Sequence, residues 1–256
     1  MKVVILAGGF GTRISEETQL KPKPLVEIGG RPIIWHIMKL YSSFGFNEFI
    51  ICCGYKGYLI KEYFFNYSFH NSDITVDLVT NNTEIHRHSE EKWKITLVDT
   101  GLSTMTGGRL KRVSKFLDPN EPIFFTYGDG LSNHDMNSQL KFHLSNKSRV
   151  TLLAVRPPSR FGNLDLDGNI VRKFEEKPIG ENGWVNGGFF ILEPSVLDLI
   201  KDEKTVWEKE PMEELASRGE ISAFKHNEFW QPMDTLRDKN YLEKMWESNN
   251  PPWKKW

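Results

Sequence analysis

The chain opens on a nearly unbroken apolar run, Lys2 to Ala7, of the kind buried on both faces of a parallel sheet. After a polar loop, Pro32 starts a stretch in which Ile33, Ile34, Ile37, Met38 and Leu40 recur at helical spacing, with Gly45 near its end. Phe49 to Cys53 reads as the next strand and Tyr55 to Tyr67 as the next helix. Short strands are expected around Ile74 to Val79, Lys94 to Val98 and Pro122 to Thr126, the last ending at Tyr127 to Gly130. A helix from His134 to Ser145 and a strand from Val150 to Val155 continue the alternation. Such βα units imply an α/β fold with an open, mixed, mostly parallel sheet flanked by helices.

The second half is patterned differently. Asn163 to Asp167 and Ile170 to Glu175, separated by Gly168 and Asn169, have the turn chemistry of a β-hairpin. A strand is expected at Val185 to Leu192, helices at Pro194 to Ile200 and Pro211 to Arg218, and short strands at Ile221 to Lys225 and Glu228 to Gln231. A closing helix runs from Leu236 to Trp246. With no linker, repeat or low-complexity stretch, residues 1–256 read as one domain whose second half carries a small β-rich part. The aromatic tail Pro251 to Trp256 is expected to dock on the body or on a neighbouring subunit, and exposed Trp253 and Trp256 point to a homo-oligomer.

Composition narrows the possibilities. The 256 residues are 39% hydrophobic and 26% charged with a formal net charge of −1, which gives no basic surface for nucleic acid. A phosphate-bearing ligand must therefore be held by a few placed groups. No apolar run approaches the roughly 20 residues that span a bilayer, and the first strand runs straight into a glycine loop, unlike a signal peptide. A cytoplasmic protein without membrane contact is expected. The two cysteines, Cys52 and Cys53, are neighbours on a strand and face opposite ways, so they read as buried small hydrophobes.

The chemistry-bearing stretch is Leu6 to Arg13, followed by Pro22, Lys23 and Pro24. Gly8, Gly9 and Gly11 lack Cβ atoms, so the backbone can bend sharply and turn its amides toward an anion. A dinucleotide-binding fingerprint aligned on Gly9 and Gly11 would need glycine where Ile14 stands, and a P-loop would need Gly-Lys-Ser or Gly-Lys-Thr. Neither is present. Pro22 and Pro24 fix φ on either side of Lys23 and stiffen the backbone that carries it.

These residues resemble the signature of the sugar nucleotidylyltransferase family, and the resemblance runs over essentially the whole chain. It is strongest to the cytidylyltransferase branch, in Gly11 to Thr18, Val26 to Gly30 and Ile50 to Gly57, with Glu16 where many members have proline. The resemblance implies a Rossmann-like nucleotidyltransferase fold whose residues 1–130 mainly hold nucleotide and whose residues 131–256 mainly hold sugar. It implies CTP and α-D-glucose 1-phosphate as substrates and Mg²⁺ as the metal.

Residue by residue, Leu6, Ala7, Gly8, Gly9, Phe10, Gly11, Thr12 and Arg13 would hold the nucleotide, with Arg13 on the triphosphate and Lys23 spanning the reacting phosphates. Asp129 and Asp234 match the family's metal aspartates, and Arg13, Lys23 and Asp129 its catalytic positions. On their own these aspartates read as a turn residue beside Gly128 and Gly130 and as a helix N-cap. Thr104 and Arg109 would read the cytosine edge, the alternative being a polar loop that only caps the helix from Gly107 to Val113, and Gly128 would also meet the nucleotide. Gly162, Glu176, Lys177, Asn186 and Gly187 would meet the sugar phosphate. His86 and His88, two residues apart, read as surface, and His36 as an interior histidine. The rivals are the same chemistry with UTP, dTTP or GTP or with another hexose phosphate, and a non-catalytic subunit that keeps the fold only to bind nucleotide.

Overall fold

The computed structural model describes residues 1–86, 91–157, 163–167, 170–175 and 183–256, with Glu16, 163–167 and 170–175 described in backbone only. Seven strands build its main sheet: β1 (Val3–Ala7), β2 (Glu48–Cys53), β3 (Lys94–Asp99), β4 (Ile123–Tyr127), β5 (Val150–Val155), β6 (Val185–Leu192) and β7 (Ile221–His226). Their spatial order is β7-β5-β6-β4-β1-β2-β3. β1 lies parallel to β2 and to β4, β2 to β3, and β5 to β7. β6 runs antiparallel to both β4 and β5. The mixed, mostly parallel sheet is as expected, and strands from both halves of the chain share it.

Alternation along β1 sorts its side chains onto the two faces. Val3, Ile5 and Ala7 join a core under the helix Ile33–Ser43, while Val4 joins a second core with Leu110, Phe125 and Trp207. Cys53 belongs to the first core and Cys52 to the second, both as free thiols. Burial lifts both thiols above their usual range, Cys53 to about 11, so neither offers a thiolate at neutral pH.

Three details depart from the reading of the sequence. The strand around Ile74 stands apart from the main sheet, paired as a hairpin, Ile74–Asp77 with Asn82–Ile85. Its polar second strand left no apolar alternation to read. Gly130–Ser132 pairs with Trp230–Pro232, and three-residue strands are too short to show a period. The third departure is the tail. Trp253 is fully buried in its own chain, stacked on Phe229 at 5.5 Å and on Trp246 at 6.4 Å between ring centroids. Trp256 meets the edge of Trp35 at 5.6 Å. Docking on the body, one of the two places expected, is what these tryptophans do, and the expectation that they are exposed and mark a subunit interface is corrected: they close the chain's own core.

His36 sits beneath this cluster as a satisfied interior residue. Its Nδ1 accepts from the Trp253 indole at 3.3 Å, so its Nε2 carries the proton and donates to the Ile28 carbonyl at 2.8 Å. Burial lowers its pKa to about 4, which keeps the ring neutral.

Removing the Trp253 side chain should open a large cavity between the final helix and the body. Trp253→Ala is expected to destabilise the fold by about 3–5 kcal/mol in urea unfolding. An unchanged midpoint would mean that the tail contributes nothing to the core.

Candidate active site

The carboxyl ends of β1 and β4 open onto a cleft of about 860 Å³. This is the edge at which open α/β sheets bind ligands. β1 runs directly into the glycine loop, and Gly11 adopts φ +66°, a left-handed turn that residues with a Cβ disfavour. Leu6, Ala7, Gly8, Gly9, Phe10, Gly11, Thr12 and Arg13 all line the cleft. So do Lys23, Thr104, Arg109, Gly128, Asp129, Asn186, Gly187 and Asp234. Gly162, Glu176 and Lys177 lie outside the described residues, as does His88. His86 is a surface residue bonded to Thr75.

Lys23 is the centre of the site. It begins a tight turn in which Leu25 N–H donates to the Pro22 carbonyl at 2.8 Å and Val26 N–H to the Lys23 carbonyl at 3.0 Å. Its ammonium lies 2.5 Å from Asp129 Oδ2 and 2.8 Å from Asp234 Oδ1. Arg13 Nη1 reaches Asp234 Oδ2 at 2.6 Å. The short ladder between Gly130–Ser132 and Trp230–Pro232 brings the aspartates together, and Met233 N–H donates to the Asp129 carbonyl at 2.7 Å.

The capping role open to Asp234 belongs to other residues. Thr235 is the N-cap of the helix Leu236–Glu247, in a reciprocal capping box with Asp238, and the Asp234 amide itself donates to Asp238. The Asp234 carboxylate is therefore free to face the cleft.

These carboxylates fit a hard dication. One ammonium reaches both, so a metal ion between them would also be in reach of both. Among the described residues no three or more His, Cys, Asp or Glu side chains cluster as a closed cage. A metal here would draw its other ligands from phosphate oxygens and water, which is the habit of Mg²⁺ rather than of a structural metal.

Arg109 does more than line the cleft. From the helix Thr106–Arg112 its guanidinium donates to Thr100 Oγ1 at 2.8 Å and to the carbonyls of Gly101 at 2.7 Å, Leu102 at 3.2 Å and Cys53 at 3.4 Å. Both Nη1 protons and one on Nη2 are thereby engaged, leaving Nε and the other Nη2 proton for a ligand. The group also supports the glycine loop from below: a Cβ on Gly8 would fall 2.2 Å from Arg109 Nη1. Gly8 is thus required for close packing.

Four cleft residues are not among the expected site residues. Tyr127 Oη donates to Glu208 Oε1 at 2.5 Å, Thr106 Oγ1 donates to Glu208 Oε2 at 2.6 Å, and the Trp230 indole donates to the Gly187 carbonyl at 2.7 Å. Glu208 stands in a charge-rich stretch from Asp202 to Glu214 that reads as solvated surface, so no sequence signal separates it from its neighbours. On the facing strand, the Asn186 side chain accepts from the Gly188 amide at 2.8 Å.

A glycine loop over the end of a central strand, with a lysine shared by two aspartates, defines a site for moving a nucleotidyl group. The chain belongs to the nucleotidyl transferase family, whose pattern it matches over residues 2–231. It is 57% identical over 256 residues, 100% of both chains, to the glucose-1-phosphate cytidylyltransferase of Salmonella typhi. It is 41% identical over 257 residues, again 100% of both, to the Bacillus subtilis protein named probable glucose-1-phosphate cytidylyltransferase. Its fold is shared with the crystal structure of HddC from Yersinia pseudotuberculosis, at a TM-score of 0.68 and 23% identity over 96% of this chain and 99% of that one.

Because Gly8 and Arg109 are in contact, Gly8→Ala should displace either the loop or the guanidinium. Overpacking of this kind costs about 1–3 kcal/mol, and the damage should fall on the loop. The expected outcome is at least a roughly tenfold rise in nucleotide Kd, since 1.4 kcal/mol is tenfold, with the fold retained. Unaltered nucleotide affinity by calorimetry would show that the Gly8–Arg109 contact does not shape the pocket.

Proposed function

We propose that this chain transfers the cytidylyl group of CTP to α-D-glucose 1-phosphate, giving CDP-glucose and pyrophosphate. The observation that carries the chemistry is the Lys23 ammonium bridging Asp129 and Asp234 at the mouth of the glycine loop. The choice of CTP and glucose 1-phosphate is supported by the full-length likeness to the Salmonella typhi enzyme. The non-catalytic rival is disfavoured because Lys23, Asp129 and Asp234 are not merely present but gathered at one point.

In this reading an oxygen of the sugar phosphate attacks the α-phosphorus in line, a new P–O bond forms, and the bond to the β-phosphate oxygen breaks as pyrophosphate leaves. Both reactants are anions, so the protein must position them and offset their charge. The amides of Gly8 to Gly11 face the triphosphate. Arg13, 70% exposed, can swing from Asp234 to a phosphate, and Lys23, rigid between its prolines, steadies the reacting group. Mg²⁺ held by Asp129 and Asp234 would supply the remaining positive charge on the phosphate oxygens. Asn186 and Gly187, with Gly162, Glu176 and Lys177, meet the sugar phosphate, and Thr104 and Gly128 the base.

No helix among the described residues is long and apolar enough to cross a membrane. A cytoplasmic setting belongs to this reading. So does self-association, for which exposed Val76, Leu78 and Val79 around the Ile74–Ile85 hairpin are the supporting surface in place of the tail.

The decisive assay offers the purified protein CTP, UTP, dTTP or GTP with glucose 1-phosphate and Mg²⁺ and measures pyrophosphate. CTP is expected to exceed UTP in kcat/KM by at least roughly a hundredfold, because an acceptor facing the cytosine amine would meet the uracil oxygen with no proton between them. Equal use of UTP would leave only the family assignment standing.

Asp129→Asn and Asp234→Asn should each lower kcat by about a hundredfold or more while the fold survives, because a neutral amide is a poor ligand for a hard dication. Chelation should abolish wild-type turnover, and added Mg²⁺ should restore it. Near-normal kcat of either variant at saturating Mg²⁺ would remove that aspartate from the metal site.

A further inference from the structure

Glu208 stands on the cleft wall just ahead of the helix Glu210–Ser217, with its side chain open to the cleft. Both carboxylate oxygens are gripped by neutral donors, Tyr127 Oη at 2.5 Å and Thr106 Oγ1 at 2.6 Å. A carboxylate has about four lone-pair positions, so each oxygen keeps capacity for a second donor. The orientation of the cluster is unambiguous. Burial, and then the charge of Glu208 itself, raise the Tyr127 phenol far above its usual range, so Tyr127 keeps its proton and Glu208 is the acceptor.

A carboxylate bonded only by hydroxyls has no cation beside it to offset its charge. It would repel a triphosphate or a sugar phosphate group, so it suits the uncharged, hydrogen-donating part of a ligand. Its place in the fold selects which part. Tyr127 ends β4, beside β6, and the Asn186 side chain of β6 faces the same phenol. Trp230, bonded to the Gly187 carbonyl, stands on this wall as well. Carboxylate, amide, phenol and indole together make a surface suited to a polyol, with hydrogen-bond acceptors among apolar ring faces.

We infer that Glu208 accepts hydrogen bonds from the ring hydroxyls of the hexose phosphate and thereby determines which sugar is taken. This rests on the reaction proposed above. Tyr127 and Thr106 are positioning residues: they hold the carboxylate at a fixed angle, so that a sugar lacking the matching hydroxyl loses its hydrogen bond to an oriented acceptor.

The test compares wild type, Glu208→Gln and Glu208→Ala on glucose 1-phosphate and its 2-, 3-, 4- and 6-deoxy analogues at fixed CTP. Wild type should lose roughly ten- to hundredfold in kcat/KM on the analogue that lacks the bonded hydroxyl. The variants should lose a similar factor on glucose 1-phosphate itself and no longer distinguish that analogue, with KM for CTP unchanged. A purely structural role for Glu208 would lower activity on every sugar alike and leave the wild-type deoxy penalties in place, and that result would overturn the inference. A shift confined to KM for CTP would also overturn it, placing Glu208 against the nucleotide. Wild-type turnover of CTP with glucose 1-phosphate reports separately on the reaction, so loss of this inference leaves that reading intact.

Discussion

Lys23 meets Asp129, 106 residues along the chain, and Asp234, 211 residues along, at a single ammonium. Two carboxylates facing one point repel: unit charges 4 Å apart cost about 4 kcal/mol at an effective dielectric of about 20. They can be held together only if a cation sits between them and if the backbone behind each is stiff. Both conditions are met locally. Pro22 and Pro24 frame the lysine, and the ladder of Gly130–Ser132 with Trp230–Pro232 binds the two acidic segments to each other. The arrangement is poised for anions, because a phosphate can take over Lys23 and Arg13 while a dication takes over the aspartates.

The large-scale fold serves that convergence. β1 lies between β2 and β4, so the glycine loop leaves the sheet at its middle and Asp129 leaves the adjacent strand on the same edge. Beneath the loop, Arg109 ties Thr100, Gly101 and Leu102 to the underside of Gly8. A change at any of these positions therefore reaches the glycine loop through contact. At the back of the domain, Trp253 locks the chain's last residues against His36 and Phe229 and so secures the helix that follows Asp234.

The second wall of the cleft is built on a different principle. Where the Lys23 side is crowded with full charges, the Tyr127–Glu208–Thr106 side holds one carboxylate with neutral hydroxyls. The ionic cluster and the hydroxyl-bonded one are thus separate features of one cleft. The antiparallel insertion of β6 between β4 and β5 makes this possible, since it brings Asn186 and Gly187 to the end of the sheet where β4 finishes.

Much of this was legible in the chain alone. The apolar runs of Val3 to Ala7 and Ile123 to Phe125 announce central strands, because a strand covered on both faces has no polar face to show. The spacing of Gly8, Gly9, Gly11 and the proline-framed Lys23 marks a sharp loop beside a stiffened lysine, and both line the cleft, because those backbone demands are local. Asp234 was harder, since a lone aspartate before a helix reads as a cap; only the structure gives the cap to Thr235 and leaves Asp234 to Lys23. Glu208 and the double engagement of Arg109 were hidden altogether, and for the aromatic tail only the structure chose the chain's own body over a neighbouring subunit. Local conformation is encoded over a few residues and can be read there. Which distant side chains share a hydrogen bond or a core depends on how the sheet is ordered, and that is settled only when the whole chain packs.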